Sequence, residues 1–178
     1  MGEQMSGLDL QDEEFNELLR LQRMYRREAD KCMKGGSYFA GCVMLGAALE
    51  GDLTAMCHCF ASEIPPNLIP KKNGKPKPLL DWTLHQLLIV ARSCNWLPSG
   101  LDLEDEWKRK QAQAGDYAVV LKDFRNLVHP ARWIHDFHGR RVTKRRMEMC
   151  FEILEIAGDW LWAKLGRSLD ADLREEGS

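Results

Sequence analysis

The chain has 178 residues and a formal net charge of −2, with 44% hydrophobic and 29% charged residues. This length suffices for one well-buried domain, and the composition excludes disordered and fibrous classes while giving no global nucleic-acid signature. We therefore expect a single domain over residues 1–178, with its core at about 10–165 and a frayed tail at 166–178. No apolar run approaches the roughly 20 residues that cross a bilayer, and the acidic N-terminus is no signal peptide, so we expect a cytoplasmic protein without membrane contact.

Apolar residues recur with a helical period through almost the whole chain, and no stretch alternates with the period of a strand. The sequence therefore predicts an all-α fold, a single-domain bundle of about five helices. The periodic segments fall at about 10–33, 39–60, 79–96, 116–128 and 143–165. Leu80 and Val128 are expected to face inward. The proline-rich segment 63–78 is expected to be a loop rather than a hairpin, because its Asn73-Gly74 pair stands among lysines and prolines.

The second periodic segment has the clearest pattern, with apolar residues at alternating spacings of three and four from Phe39 to Phe60. This pattern indicates a helix packed against other helices. Gly46 on this seam would let a neighbouring backbone come close. Glu50 lies beside the seam, so we expect it either at the edge of the core or paired with a base.

The cysteines and histidines do not form a convincing metal site. The six cysteines lie singly within apolar patterns, where cysteine behaves as a small hydrophobic residue, and we expect them to be reduced. Cys57 and Cys59 flank His58, but positions i and i+2 of a helix point about 200° apart and cannot hold one ion. His135 and His138 lack a third ligand. We therefore expect no metal and no cofactor. No glycine loop, nucleophile elbow or carboxylate pair supports a small-molecule enzyme.

The stretch DFRNLVHPARW, residues 123–133, places an arginine and a histidine four residues apart before a proline. On a helix Lys122, Arg125 and His129 share one flank, and Pro130 should end the helix at His129. A neutral imidazole can accept the 2′-hydroxyl proton of RNA while a guanidinium stabilises the phosphorane charge, so the pair suits metal-independent RNA cleavage. The alternative is structural, with Arg125 paired to Glu50 at the helix end.

The motif FRNLVHP resembles the Arg-Asn…His signature of the HEPN superfamily, small all-α domains often found in prokaryotic toxin–antitoxin and defence systems. The order of helices over about residues 35–165, which includes AGCVMLGAALEGDL and LLDWTLHQLLIVARSCNWL, is similar too. The resemblance implies a dimer cleft holding two Arg/His sets, with Arg125 as phosphate stabiliser, Asn126 as the polar residue after it and His129 as base or acid. Only three residues separate Arg125 from His129, against four to six in the usual active pattern, and this shortening rotates His129 by about 100°.

Two functions are consistent with these patterns. The chain is either a HEPN-like binding or regulatory module, dimeric and with RNA as a candidate partner, or a metal-independent endoribonuclease of toxin or defence type that uses Arg125 and His129. A toxin would also bind a cognate antitoxin or another partner protein. We favour the binding module, because many members of the superfamily are non-catalytic.

Two basic loops, at 71–77 and 138–146, could follow a phosphate backbone, or they could simply be solvated loops that keep the protein soluble. Trp133 could stack a base or cap the core. The candidate binding residues are Lys122, Arg132, Trp133, Arg140, Arg141 and Lys144.

The last helix has an apolar arc wider than one core contact needs. Trp160 and Trp162 point in different directions from it. A second buried surface would account for this width, so the sequence predicts a symmetric homodimer.

Overall fold

The structure is a computed structural model that describes residues 8–97, 121–123, 125–126, 128–137 and 141–176. Its four long helices are α1 (Asp12–Lys34), α2 (Tyr38–Cys59), α3 (Leu84–Ser93) and α4 (Lys144–Glu176). Residues 121–123 and 125–126 are helical as well. The shorter elements are 3₁₀ turns at Ala61–Glu63 and Leu79–Asp81, strands β1 (Lys71–Lys72) and β2 (Lys75–Pro76), a helical turn at Pro130–Arg132 and a π-helical turn at Trp133–Phe137. The all-α class and the bundle of about five helices are confirmed.

Helix α1 is positioned by charges and caps at both ends. The backbone N–H of Gln11 donates to Glu14 Oε2 at 3.0 Å, and the first turn is acidic while the last turn is basic, as the helix dipole favours. The helix ends where Gly35 and Gly36 follow, and Gly36 has a positive φ of 74° that suits glycine. The sequence boundaries of 10–33 were therefore close.

Helix α2 lies at the centre of the bundle. Thirteen of its 22 residues are buried, and α1, α3 and α4 all pack against it. Within the described residues, α2 is the one helix that is long and apolar enough to cross a membrane. No apolar run of that length was expected from the sequence. Of its most apolar stretch, 67% is buried inside the bundle, which is typical of a core helix.

The third periodic segment folds differently from the expected helix over 79–96. Residues Leu79–Asp81 form a 3₁₀ turn, and α3 begins only at Leu84. The helix begins there because Thr83 is extended and caps it: its Oγ1 accepts a hydrogen bond from the backbone N–H of Gln86. Leu80 is therefore 53% exposed rather than inward. The expectation for Leu80 was wrong because the capping residue, Thr83, lies three residues further along the chain.

The segment expected to be a loop contains a hairpin. Strands β1 and β2 pair antiparallel across Asn73 and Gly74, with Lys72 opposite Lys75. Both turn residues have positive φ, 53° and 77°, as a two-residue hairpin turn of type I′ requires. The preference of Asn-Gly for a type I′ turn thus suffices to form a hairpin, although no apolar strand flanks the turn.

Helix α4 buries the stripe that the sequence indicated and continues further than expected. Met147, Cys150, Leu154 and Leu161 are buried against the core. The helix continues to Glu176, beyond the end at about residue 165 that the sequence predicted. Residues 166–176 hold no proline, and seven of these eleven are leucine, alanine, arginine or glutamate, which are strong helix formers.

Candidate functional site

The candidate site centres on an ion pair between α2 and the helical residues around 121–126. Arg125 Nε lies 3.1 Å from Glu50 Oε2, and Arg125 Nη2 donates to Glu50 Oε1 at 3.5 Å. The Glu50 side chain is 23% exposed and that of Arg125 is 39% exposed. Burial raises the pKa of Glu50, and the charge and hydrogen bond of Arg125 oppose that rise. The guanidinium of the motif is thus already engaged with a carboxylate of its own chain.

Close backbone contact explains why this ion pair forms. A methyl group built on Gly46 would lie 2.7 Å from Arg125 Cβ and 2.8 Å from the carbonyl oxygen of Leu121. Only a residue without a side chain permits this approach, so Gly46 acts as the sequence pattern suggested. Because Glu50 is one helical turn after Gly46, the contact brings Arg125 directly alongside its carboxylate.

His129 lies apart from this ion pair. Its backbone is extended, with φ −85° and ψ 118°, and its side chain is exposed. The bulk of Pro130 disfavours helical geometry at the preceding residue, so the helix stops before His129, as expected. The backbone N–H of His129 donates to the Asn126 carbonyl at 3.1 Å. Among the described contacts, none joins the His129 side chain to Arg125 or to Glu50.

The chain after His129 turns back onto the bundle. The backbone N–H of Trp133 donates to the His129 carbonyl at 3.1 Å. The half-buried Trp133 ring meets Phe39 edge to face, with centroids 5.0 Å apart, and packs against the core. Val128, expected to face inward, is instead 48% exposed, and Ile134 is exposed as well. The expectation for Val128 failed because the helix has already ended there, which rotates the residue away from the core.

The remaining candidate binding residues have varied surroundings. Lys122 is half-buried, with Nζ 3.6 Å from Asp123 Oδ1, and Asn126 is half-buried as well. Arg141 is exposed, and Lys144 Nζ lies 3.5 Å from Glu148 Oε1 on α4. The side chains of Arg132 and Arg140 lie outside the described residues.

Comparison of this chain with family models, curated proteins and solved structures gives no match.

A second polar cluster, which the sequence patterns did not predict, joins α1, α2 and α4 around Asp52. The Asp52 side chain is 1% exposed; Gln22 Nε2 donates to it at 2.6 Å and Arg26 Nη2 at 2.8 Å. The side chain of Trp162 on α4 also hydrogen-bonds Asp52. Burial raises the pKa of Asp52, while the charge of Arg26 and the three donors counteract that rise. An acid within an apolar helical seam needs a partner, so the sequence did contain a signal for this network.

The Cys57–His58–Cys59 sequence has a structural explanation. Cys57 is buried and Cys59 is exposed, as the geometry of a helix dictates. His58 Nδ1 accepts a hydrogen bond from the backbone N–H of Leu10 at 3.1 Å, and its ring lies 4.9 Å from that of Phe15. His58 thus fixes the start of the chain to the end of α2. Within the described ranges no three His, Cys, Asp or Glu residues are grouped to hold a metal ion.

Proposed function

We propose that this chain is a HEPN-like helical binding module that acts as a homodimer and associates with RNA through basic surface residues such as the exposed Arg141, with Arg125 in a structural role. The supporting observation is the Arg125–Glu50 ion pair. A catalytic guanidinium must be free to pair with a phosphate, whereas this one already contacts a carboxylate and lies against Gly46. Arg125 then acts as a positioning residue that holds the end of its helix on α2.

Surface exposure of tryptophan supports the dimer. Trp160 on α4 is 50% exposed, whereas the neighbouring Trp162 is partly engaged with Asp52. A large aromatic ring left half in water is typical of an interface residue. Trp160 is therefore the residue that we expect a second copy of the chain to cover.

The dimer is tested by light scattering coupled to size-exclusion chromatography. We expect the wild type to elute as a dimer and Trp160→Glu to elute as a monomer, because a charge in an apolar interface is costly. Leu80→Glu is the matched control, since Leu80 is equally exposed but lies on the 3₁₀ turn before α3. A monomeric wild type, or two variants that behave alike, would contradict the proposed surface.

The alternative, a metal-independent endoribonuclease, is favoured by one observation, the exposed imidazole of His129 at a helix end. The decisive assay incubates purified protein with mixed RNA in EDTA, beside Arg125→Ala and His129→Ala. We expect intact RNA that is retained by the protein, with Arg125→Ala melting at lower temperature and His129→Ala melting as the wild type does. Cleavage that both variants lose while retaining helicity would favour the enzyme instead.

A further inference from the structure

The lysine-rich hairpin forms one wall of a cleft at the start of α3. The cleft encloses about 510 Å³ and is lined by Lys71, Lys72, Lys77, Asp81 and Gln86. It is open to solvent and is separate in sequence from the Arg125 flank. Its size and polar lining suit a small charged group rather than an apolar ligand.

Hydrogen bonds hold the walls of this cleft in place. The backbone N–H of Lys77 donates to the Pro70 carbonyl at 2.8 Å, which closes the base of the hairpin. The indole Nε1 of the buried Trp82 donates to the Lys77 carbonyl at 3.1 Å, and Lys77 Nζ donates to the Asp81 carbonyl at 2.6 Å. The hairpin is thus fixed to the start of α3. A ligand would therefore lose little binding free energy to ordering of the site, because the site is already ordered in the folded chain.

The charges in this cleft are unbalanced. Its lining contributes three ammonium groups and one carboxylate, that of Asp81. In the described part of the chain, Lys71 and Lys72 are exposed and take part in no ion pair or hydrogen bond of their side chains. The first turn of α3 carries no acidic residue that would cancel the partial positive charge of the helix start. The cleft therefore attracts anions.

The chemistry of the lining selects the class of anion. No aromatic ring is among the described lining residues, so the cleft provides no platform on which a base could stack. Lysines act as point charges that suit phosphate groups. We propose that this cleft, which we name the hairpin cleft, binds successive phosphate groups, either of an RNA backbone or of a free polyphosphate. The RNA form of the proposal rests on the proposed RNA association, and the polyphosphate form does not.

The test compares a variant of the cleft with a control of equal charge. Lys71→Gln/Lys72→Gln removes two charges from the hairpin, and Lys31→Gln/Lys34→Gln removes two exposed charges from the end of α1. Binding of a fluorescent 12-nucleotide uridine RNA is measured by anisotropy, and binding of inorganic triphosphate by calorimetry. We expect the hairpin variant to bind about tenfold more weakly and the α1 variant to bind as the wild type does.

Two further measurements test the sign and the origin of the effect. Loss of two phosphate contacts should lower the salt dependence of RNA binding by about 1.4 in log–log slope. Asp81→Asn removes the opposing carboxylate and should tighten binding by about threefold. Equal affinities of the two double variants for both ligands would overturn the proposal. Binding of triphosphate alone, weakened only in the hairpin variant, would retain the cleft and refute the RNA association.

Discussion

A double-mutant cycle on Glu50 and Arg125 tests the structural role of the motif arginine. Glu50→Gln removes the carboxylate charge with an isosteric side chain, and Arg125→Gln replaces the guanidinium with a shorter, neutral polar side chain. If Arg125 positions its helix through Glu50, the loss of stability in the double variant should be smaller than the sum of the losses in the single variants. The four proteins are compared by urea unfolding at pH 7.

The magnitude follows from the distance and the exposure of the pair. At the 3.1 Å between Arg125 Nε and Glu50 Oε2, Coulomb's law gives about 1.3 kcal/mol in a water-like dielectric and about 5 kcal/mol in the dielectric of a protein surface region. The guanidinium is 39% exposed, so solvent screens it, and the burial of Glu50 opposes its ionisation. We therefore expect a coupling free energy of about 1–2 kcal/mol.

The controls separate coupling from general damage to the fold. All four proteins should keep the same helical circular dichroism and the same dependence of the unfolding free energy on urea. A coupling free energy below about 0.3 kcal/mol would refute the structural role, because that value is within the usual error of additivity. Arg125 would then be free for a direct role with a ligand.

Three further predictions use thermal or urea unfolding. Gly46→Ala should destabilise the protein by about 1–2 kcal/mol, because its methyl group meets a neighbouring backbone. The control Gly166→Ala should stabilise it by about 0.5–1 kcal/mol, because a methyl group built there meets nothing within 4 Å. Equal effects of the two substitutions would contradict the close approach at Gly46. Asp52→Ala should lower the free energy of unfolding by about 3 kcal/mol or more, because it leaves buried donors unpaired. The control Glu17→Ala breaks an exposed ion pair with Arg20 and should leave the midpoint of unfolding nearly unchanged. Folding raises the pKa of Glu50, so its ionisation is less favourable in the folded chain than in the unfolded chain even beside Arg125. The stability of the wild type relative to Glu50→Gln should therefore fall as the pH rises from about 4.5 through the raised value, and a constant difference would contradict this.

The sequence predicted the long elements well because their signals are local and repeated. The stop at Gly35-Gly36 and the end of a helix before Pro130 each depend on one strong backbone preference, and the seam of α2 depends on a repeated spacing of apolar residues. The prediction failed at Leu80. The helical spacing of apolar residues continues there in the sequence, but the cap at Thr83 starts the helix only after Leu80. A helical period alone does not locate a helix start.

The polar contacts were harder to foresee because they depend on which helices become neighbours. The Glu50–Arg125 pair was one of two alternatives for Glu50, since a lone acid beside a seam suggests a partner without naming it. Two partners of Asp52 lie 30 and 26 residues away on α1 and the third, Trp162, lies on α4, so no local pattern connects them.

Two free cysteines near the end of α2, Cys57 and Cys59, can report partial opening of the helical bundle. Cys59 is exposed, whereas Cys57, two positions earlier, is buried, and its burial raises the pKa of its thiol. An alkylating reagent should therefore modify Cys59 in the intact bundle and reach Cys57 only when α2 detaches from its neighbours. The rate of the second modification, followed by mass spectrometry, would measure how often the central helix opens without complete unfolding of the chain.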